Sequence, residues 1–282
     1  MAGDRNGSDM TTPRFGLVIV GDEILSGKRE DKHLAAVIRL LAARGLALSW
    51  ARYVGDDRAL LTALYCDTFA SGDVVFSCGG IGATPDDHTR QAAAAALDVP
   101  VMLHPEAGDL IAQRCADMAR EGKGTADMTH PENRQRLKMG EFPAGAAIIP
   151  NPFNRIPGFS IAGHWFVPGF PVMAWPMIEW VLDTHYAAHF NRRPIAERSM
   201  LVFETPESAL VPLMEAIERD FAGIKAFSLP SVGDGRDGLP ARRHVELGVK
   251  GESALVGPAF ERLLAGLREL DAPFEPLPVP QR

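Results

Sequence analysis

The chain has 282 residues, 46% of them apolar and 23% charged, with 29 basic against 36 acidic side chains and a net charge of −7. A chain of that length holds a core without metal or disulfide staples, and a prior of roughly 150 residues per domain gives about two domains. The acidic balance, with a pI near 5.6, excludes a purely electrostatic grip on nucleic acid or anionic lipid but leaves room for a local pocket that takes a small phosphate.

Cys66, Cys78 and Cys115 are an odd number of thiols without CxxC spacing. They suit a reducing cytoplasm, which is the expected location. No apolar run approaches the roughly 20 residues of a membrane helix, and Met1 to Thr12 lacks the apolar core of a signal peptide.

Residues 1–13 read as a disordered lead. Phe15-Gly-Leu-Val-Ile-Val20 is a continuous apolar run, the pattern of a strand buried on both faces of a parallel sheet. A polar loop from Gly21 to Asp31 follows. Leu34, Val37, Ile38 and Leu41 then fall at helical spacing, and Gly45 suits the helix stop. Leu46 to Val54 reads as a second strand. Asp56 or Asp57 caps a helix carrying Leu60, Leu61 and Leu64. Asp73 to Ser77 is a third strand, Cys78 to Asp87 a glycine-rich loop, and the alanine run in Thr89–Leu97 favours helix. Such β-α alternation predicts an α/β fold with a largely parallel sheet and helices on both faces, a three-layer αβα domain.

Pro105 to Arg120 is a further helix, Gly122 to Met128 a loop and Ala146 to Ile149 a short strand. Prolines keep 150–158 extended or turned. Ile161 to Val167 pairs on itself around Gly163, and Pro171 suits the first position of a helix in which Met173, Trp175, Met177 and Trp180 supply packing. A boundary falls near Asn191-Arg-Arg-Pro194. Beyond it, Ser199–Phe203, Ser208–Phe221, Ala226–Ser231, Arg243–Val249 and Ser253–Leu270 read as β-α-β-β-α. The expected organisation is an α/β domain over 14–190, a small α/β domain over 195–271 and a proline-rich tail over 272–282.

The chemistry concentrates in loops that follow strands. Gly79, Gly80 and Gly82 sit between the third strand and a helix, where open α/β folds bind ligands and glycine lets backbone amides approach a phosphate. Thr84 and Thr89 belong to the same loop. Asp86 and Asp87 would repel a phosphate unless a divalent cation stands between them, or unless they bind another part of the ligand; the competing reading is a turn with aspartate caps. In the first loop, Asp22 and Glu23 could hydrogen-bond ligand hydroxyls or hold a metal, or merely cap a turn. Pro168-Gly169 at a helix start is a third candidate. The GxGxxG pattern at Gly233–Gly238 opens no helix, so it reads as a hairpin connection. His185 and His189 have zinc-like spacing without a third ligand. Cys78 has no paired base and reads as a small buried side chain.

Taken together, Val20-Gly-Asp-Glu-Ile-Leu-Ser-Gly-Lys28, Val54-Gly-Asp-Asp57, Gly79-Gly-Ile-Gly-Ala-Thr-Pro-Asp-Asp87 with Thr89-Arg90, Pro131-Glu-Asn-Arg134, Ile149-Pro-Asn-Pro152, Pro157-Gly158 and Val167-Pro-Gly-Phe-Pro171 resemble the molybdenum-cofactor-biosynthesis, or molybdopterin-binding, domain family. They are closest to the N-terminal part of the competence/damage-inducible protein A (CinA-like) branch. The resemblance spans about 14–182, and 195–271 resembles the small domain that follows there. It implies binding of a phosphorylated pterin such as molybdopterin or of a nucleotide pyrophosphate, and an association into homo-oligomers. Some members resemble metal-dependent pyrophosphatases of ADP-ribose or related dinucleotides. The chain stops short of the C-terminal amidohydrolase of longer members, so deamidation of nicotinamide nucleotides is not implied.

On that reading Gly79, Gly80, Gly82, Thr84 and Thr89 contact phosphate. Asp22, Glu23, Ser26, Gly27, Pro168 and Gly169 line the other walls. Asp87, with Asp86, is the candidate catalytic and metal-binding pair for Mg, Mn or Co. The sequence departs from the family pattern at Gln91, where glutamate is frequent, at Ala83, at Asp31-Lys32-His33, at Asn154-Arg155 and at Met173, where an early helical glutamate is usual. The alternative is a non-catalytic binding or regulatory protein that uses the same pocket; a dinucleotide oxidoreductase lacks its fingerprint.

Overall fold

The computed structural model describes residues 13–191, 195–233 and 242–277. The expected lead and the end of the expected tail lie outside them. So does most of the GxGxxG pattern. The chain folds as two compact units, divided between Phe190 and Asn191.

The first unit is an αβα sandwich. Its elements are β1 (Phe15–Val20), α1 (Asp22–Leu25), α2 (His33–Ala42), β2 (Leu48–Val54), α3 (Arg58–Ser71), β3 (Val74–Cys78), α4 (Thr89–Ala96), β4 (Val101–Leu103), α5 (Pro105–Arg120), α6 (Pro131–Leu137), β5 (Glu141–Pro143), β6 (Ala147–Ile149), β7 (Gly158–Ile161), β8 (His164–Val167) and α7 (Pro171–His185). Six strands form the central sheet in the order β2-β1-β3-β8-β7-β6. The first four are parallel, and β7 and β6 each run antiparallel to the preceding neighbour.

All six residues of β1 are buried, as its uninterrupted apolar run predicts. Alternation then sorts them between two cores. Phe15, Leu17 and Ile19 join Phe76, Cys78 and Val167 against α2 and α7, while Val18 and Val20 join Val75 and Phe166 against α3, α4 and α5. The helix starts follow local chemistry. Asp57 caps α3 by accepting the amides of Ala59 and Leu60, and proline opens α5, α6 and α7.

Three short pieces escape sequence periodicity. The polar stretch 21–31 opens with the single turn α1. The three-residue strands β4 and β5 pair only with each other. In α7, Met177 is fully buried and Met173 and Trp175 pack at the margin of the core, but Trp180 stays 36% exposed, edge-on to His185. It does not supply the packing expected of it.

The second unit comprises β9 (Ile195–Phe203), α8 (Glu207–Asp220), β10 (Lys225–Ser231), β11 (His244–Glu252), α9 (Ser253–Glu269) and β12 (Phe274–Pro276). Its sheet runs β10-β11-β9-β12, antiparallel throughout. Leu210, Leu213, Phe260 and Leu263 of the helices pack onto Met200, Val202, Leu247 and Val249. β12 corrects the expectation of a tail from 272. Ala272 and Phe274 find apolar cover in this core, and the Phe203 amide donates to the Pro273 carbonyl at 2.8 Å.

Candidate functional site

Because β1, β3 and β8 are parallel neighbours, their following loops meet at one edge of the sheet. Ile19 pairs with Cys78, and Cys78 with Val167. A cavity of about 520 Å³ opens between those loops. Its walls include Glu23 from the first loop, Gly79 to Thr84 with Asp86 and Asp87 from the second, and Pro168 to Phe170 from the third. This is the crevice beyond the carboxyl ends of the strands where open α/β sheets take ligands.

The glycine loop has a consistent polarity. The carbonyls of Gly79 and Gly80 accept from the Thr89 hydroxyl and amide at 3.1 and 3.0 Å. Those of Gly82 and Ala83 accept from the Arg90 guanidinium and the Gln135 amide, and that of Thr84 from the Asp87 amide at 3.1 Å. The carboxylate of Asp87 in turn accepts from the amides of Gly82 and Thr84, at 2.9 and 2.8 Å, and from the Thr84 hydroxyl. The amides of Gly80, Ile81 and Ala83 have no partner among the described residues. With five of the six carbonyls from Gly79 to Thr84 engaged and three amides without a partner, the loop presents a surface of N–H donors. Only glycine fits at its base. Gly79 and Gly80 have φ of +107° and +67°, and a Cβ on Gly80 would strike the Thr89 hydroxyl.

Arg90 supports the loop from beneath. It is 3% exposed, and beyond its bond to Gly82 its Nε and Nη1 have no partner. Burial lowers its pKa, and the charges of Asp87 and Glu141 act against that shift.

The first loop is built differently. The Asp22 amide donates to the Asp56 carboxylate at 2.9 Å, and the Asp56 amide to the Asp22 carboxylate at 3.2 Å. This reciprocal pair fixes α1 against the end of β2. Burial raises the pKa of Asp56, and the charges of Asp22, Glu23 and Asp86 raise it further. Asp31 accepts from the amides of His33 and Leu34 and from the Tyr53 hydroxyl, so it caps α2. His33, at a departure from the family pattern, bonds the Gly169 carbonyl through Nε2 at 3.0 Å and so ties the first loop to the third.

Of the residues singled out in sequence, Gly79, Gly80, Gly82, Thr84, Asp86, Asp87, Glu23, Pro168 and Gly169 line the cavity. Asp22, Ser26, Gly27 and Thr89 do not: Asp22 braces Asp56, Ser26 and Gly27 end α1, and Thr89 is buried behind the loop. Sequence reasoning missed Arg29, Asn151 and Asn154 in the wall, and read Asp56 only as a helix cap. The signal for the asparagines lay in the turn 150–157. Asn151 holds that turn through Asn154 and the Ile156 carbonyl, both at 2.9 Å.

Among the described residues no group of three or more His, Cys, Asp or Glu side chains is arranged to enclose a metal ion. His185 rests against Trp165, at 4.6 Å between rings. Cys78 is buried, which pushes its thiol pKa up and fits an unreactive packing role. No helix among the described residues is long and apolar enough to cross a membrane.

Residues 16–187 match the family described as a probable molybdopterin binding domain. A CinA-like protein of Anaeromyxobacter sp. (strain Fw109-5) is 34% identical over 208 residues, 71% of this chain and 48% of that protein. A CinA-like protein of Desulforapulum autotrophicum is 31% identical over 222 residues, 75% of this chain and 50% of that protein. The chain thus spans about half the length of the curated relatives it matches. The crystal structure of the protein CinA with unknown function from Thermoplasma acidophilum shares the fold, with a TM-score of 0.51 at 24% identity over 60% of this chain and 97% of that one.

Proposed function

The chain belongs to the family of probable molybdopterin-binding domains, and from that premise we propose that the cleft beside the glycine loop binds the phosphate or pyrophosphate of a pterin or nucleotide. One observation carries the reading: the loop from Gly79 to Thr84 spends five of its six carbonyls on the protein and leaves the amides of Gly80, Ile81 and Ala83 without a partner among the described residues. Backbone amides recognise phosphate by shape and charge without a basic side chain. Arg29 is the basic residue of the wall.

The wall of the cleft also carries Glu23 and Asp56, and Asp86 from the glycine loop itself. These hard oxygen donors suit Mg²⁺ or Mn²⁺ held by one or two carboxylates and completed by ligand phosphate, since they form no cage of their own. Such a cation would neutralise phosphate charge. Asp86 is the exposed carboxylate of the pair, while Asp87 is committed to its own loop. That division supports a second reading, in which the cleft hydrolyses the pyrophosphate. There Asp86 orients water and Asp87 keeps the loop in shape.

A thermal-shift panel of ADP-ribose, FAD, NAD, AMP, GTP and molybdopterin, each with Mg²⁺, Mn²⁺ or Co²⁺, tests binding. A specific ligand at about a hundred times its Kd stabilises the native state by about 2.7 kcal/mol. A shift in the wild type that is absent in Gly80→Val supports the site. No shift with any phosphorylated ligand overturns it. Release of AMP from ADP-ribose, lost in Asp86→Asn with binding retained, separates hydrolysis from binding alone.

A further inference from the structure

The second unit holds a polar cavity that the reading above does not use. It measures about 260 Å³ and opens where β9 turns into α8, beside the end of β10 and the start of β11. His244 lines it and is 2% exposed. Its Nδ1 lies 2.6 Å from the Arg242 carbonyl oxygen. A carbonyl only accepts, so Nδ1 carries the hydrogen, and in that tautomer of the imidazole Nε2 is an acceptor. That Nε2 is buried and has no hydrogen-bond partner. Leaving a buried acceptor without a donor is unfavourable, so a group that supplies the donor is favoured there.

The surrounding groups define that donor's chemistry. The first two amides of the 14-residue helix α8, those of Glu207 and Ser208, have no partner among the described residues, and no side chain caps the helix. They present donors and a partial positive charge. Arg243, also in the wall, makes no ion pair among the described residues. The two carboxylates of the wall are already engaged: Glu204 takes the Arg242 guanidinium, and Glu207 the Ser228 hydroxyl. What remains is a cation and two amides that seek acceptors, beside one imidazole nitrogen that seeks a hydrogen. Sulfate meets the first demand only. A neutral hydroxyl compound meets the second but wastes Arg243. A singly protonated phosphate meets both, accepting with its anionic oxygens and donating its O–H.

We propose that this cavity is a second anion site, which takes hydrogen phosphate or the singly protonated head of a phosphate monoester. It stands independently of the cleft in the first unit.

Inorganic phosphate titrated into the full chain, observed by ¹H–¹⁵N NMR, tests it residue by residue. Saturable shifts are expected for the amides of Glu207 and Ser208 and for the His244 ring nitrogens. Arg243→Met, an exposed position, is expected to weaken this response about tenfold, the loss of one charged hydrogen bond. Sulfate, which has no proton to donate at neutral pH, is expected to bind about tenfold more weakly than phosphate. His244→Gln, checked for folding by its own spectrum, is expected to lose the preference for phosphate over sulfate. Shifts confined to the glycine loop of the first unit overturn the proposal and leave the reading of the cleft intact. Equal affinity for sulfate and phosphate, or unchanged affinity in Arg243→Met, overturns it as well.

Discussion

The loops after β1 and β3 leave neighbouring parallel strands at the same edge, and both are rich in aspartate, yet they offer a ligand opposite charge. In the loop of β1, Asp22 exchanges hydrogen bonds with Asp56 beyond the end of β2, and Glu23, together with Asp56, keeps a carboxylate on the cavity wall. In the loop of β3, Asp87 turns back onto the amides of Gly82 and Thr84, so the stretch from Gly80 to Ala83 presents backbone N–H groups and Asp86 is the carboxylate left exposed at its end. The acidity of a loop therefore does not give the sign of its surface. What decides it is whether each carboxylate faces solvent or its own backbone. The first arrangement costs desolvation first and repulsion second, both visible in the raised pKa of Asp56. The second costs conformational freedom, visible in the positive φ at Gly79 and Gly80.

The largest effect is expected from breaking the second loop at its base. Gly80→Val forces a β-branched residue into φ +67° and drives its Cβ into the Thr89 hydroxyl. Such strain costs of order 1–3 kcal/mol and moves the peptides on either side. Phosphate-dependent stabilisation should disappear, and the urea midpoint should fall. Ser26→Ala in the first loop, at a residue outside the cavity, should change neither.

Next in size is Asp87. Removal of its carboxylate in Asp87→Ala strands the amides of Gly82 and Thr84, at about 1–3 kcal/mol for each group that water does not reach. Asp87→Asn keeps one acceptor oxygen but turns an NH₂ toward the other donor. Both variants should weaken ligand binding, Ala by about a hundredfold and Asn by about tenfold. Isothermal titration with the ligand found in the thermal panel measures this. Asn binding as tightly as the wild type would mean that Asp87 does not shape the loop.

Sequence carried the frame further than the site. The six apolar residues of β1, the Asp57 cap and the proline at the start of α7 are local signals that tertiary structure reinforces. The strands β4 and β5 have three residues each and exist because they pair, so no periodicity announces them. β12 was hidden by prolines around one phenylalanine that the second core needed. In the cleft, the motif glycines and Asp86 were legible because they sit on one loop. Arg29, Asn151 and Asn154 come from stretches brought together only by the strand order. Thr89 and Asp22 lie on the right loops, but sequence does not say which side of the backbone faces the cavity. Thr89 proves to be a buried brace, and Asp22 is spent on Asp56.

The smallest expected effect sharpens the comparison from the acidic side. Asp56 has its pKa raised by burial, with the charges of Asp22, Glu23 and Asp86 adding to the shift. In the folded state it therefore keeps its proton over a window, beginning at the usual carboxylate value of 3.8, where the unfolded chain has released it. The native state binds more protons there, so its stability falls as pH rises through the window and levels off above the folded pKa. Asp56→Asn cannot ionise, yet its side-chain oxygen still accepts the Asp22 amide. The variant should lose this downward step and be slightly more stable than the wild type near neutral pH, by a few tenths to about 1 kcal/mol. Mg²⁺ should reverse the order. A cation held between Asp56 and ligand phosphate stabilises the wild type and gains little in Asp56→Asn. Melting temperatures from pH 4 to 8, with and without Mg²⁺ and ligand, give both comparisons. A wild type and variant with parallel pH profiles would remove Asp56 from the charged wall.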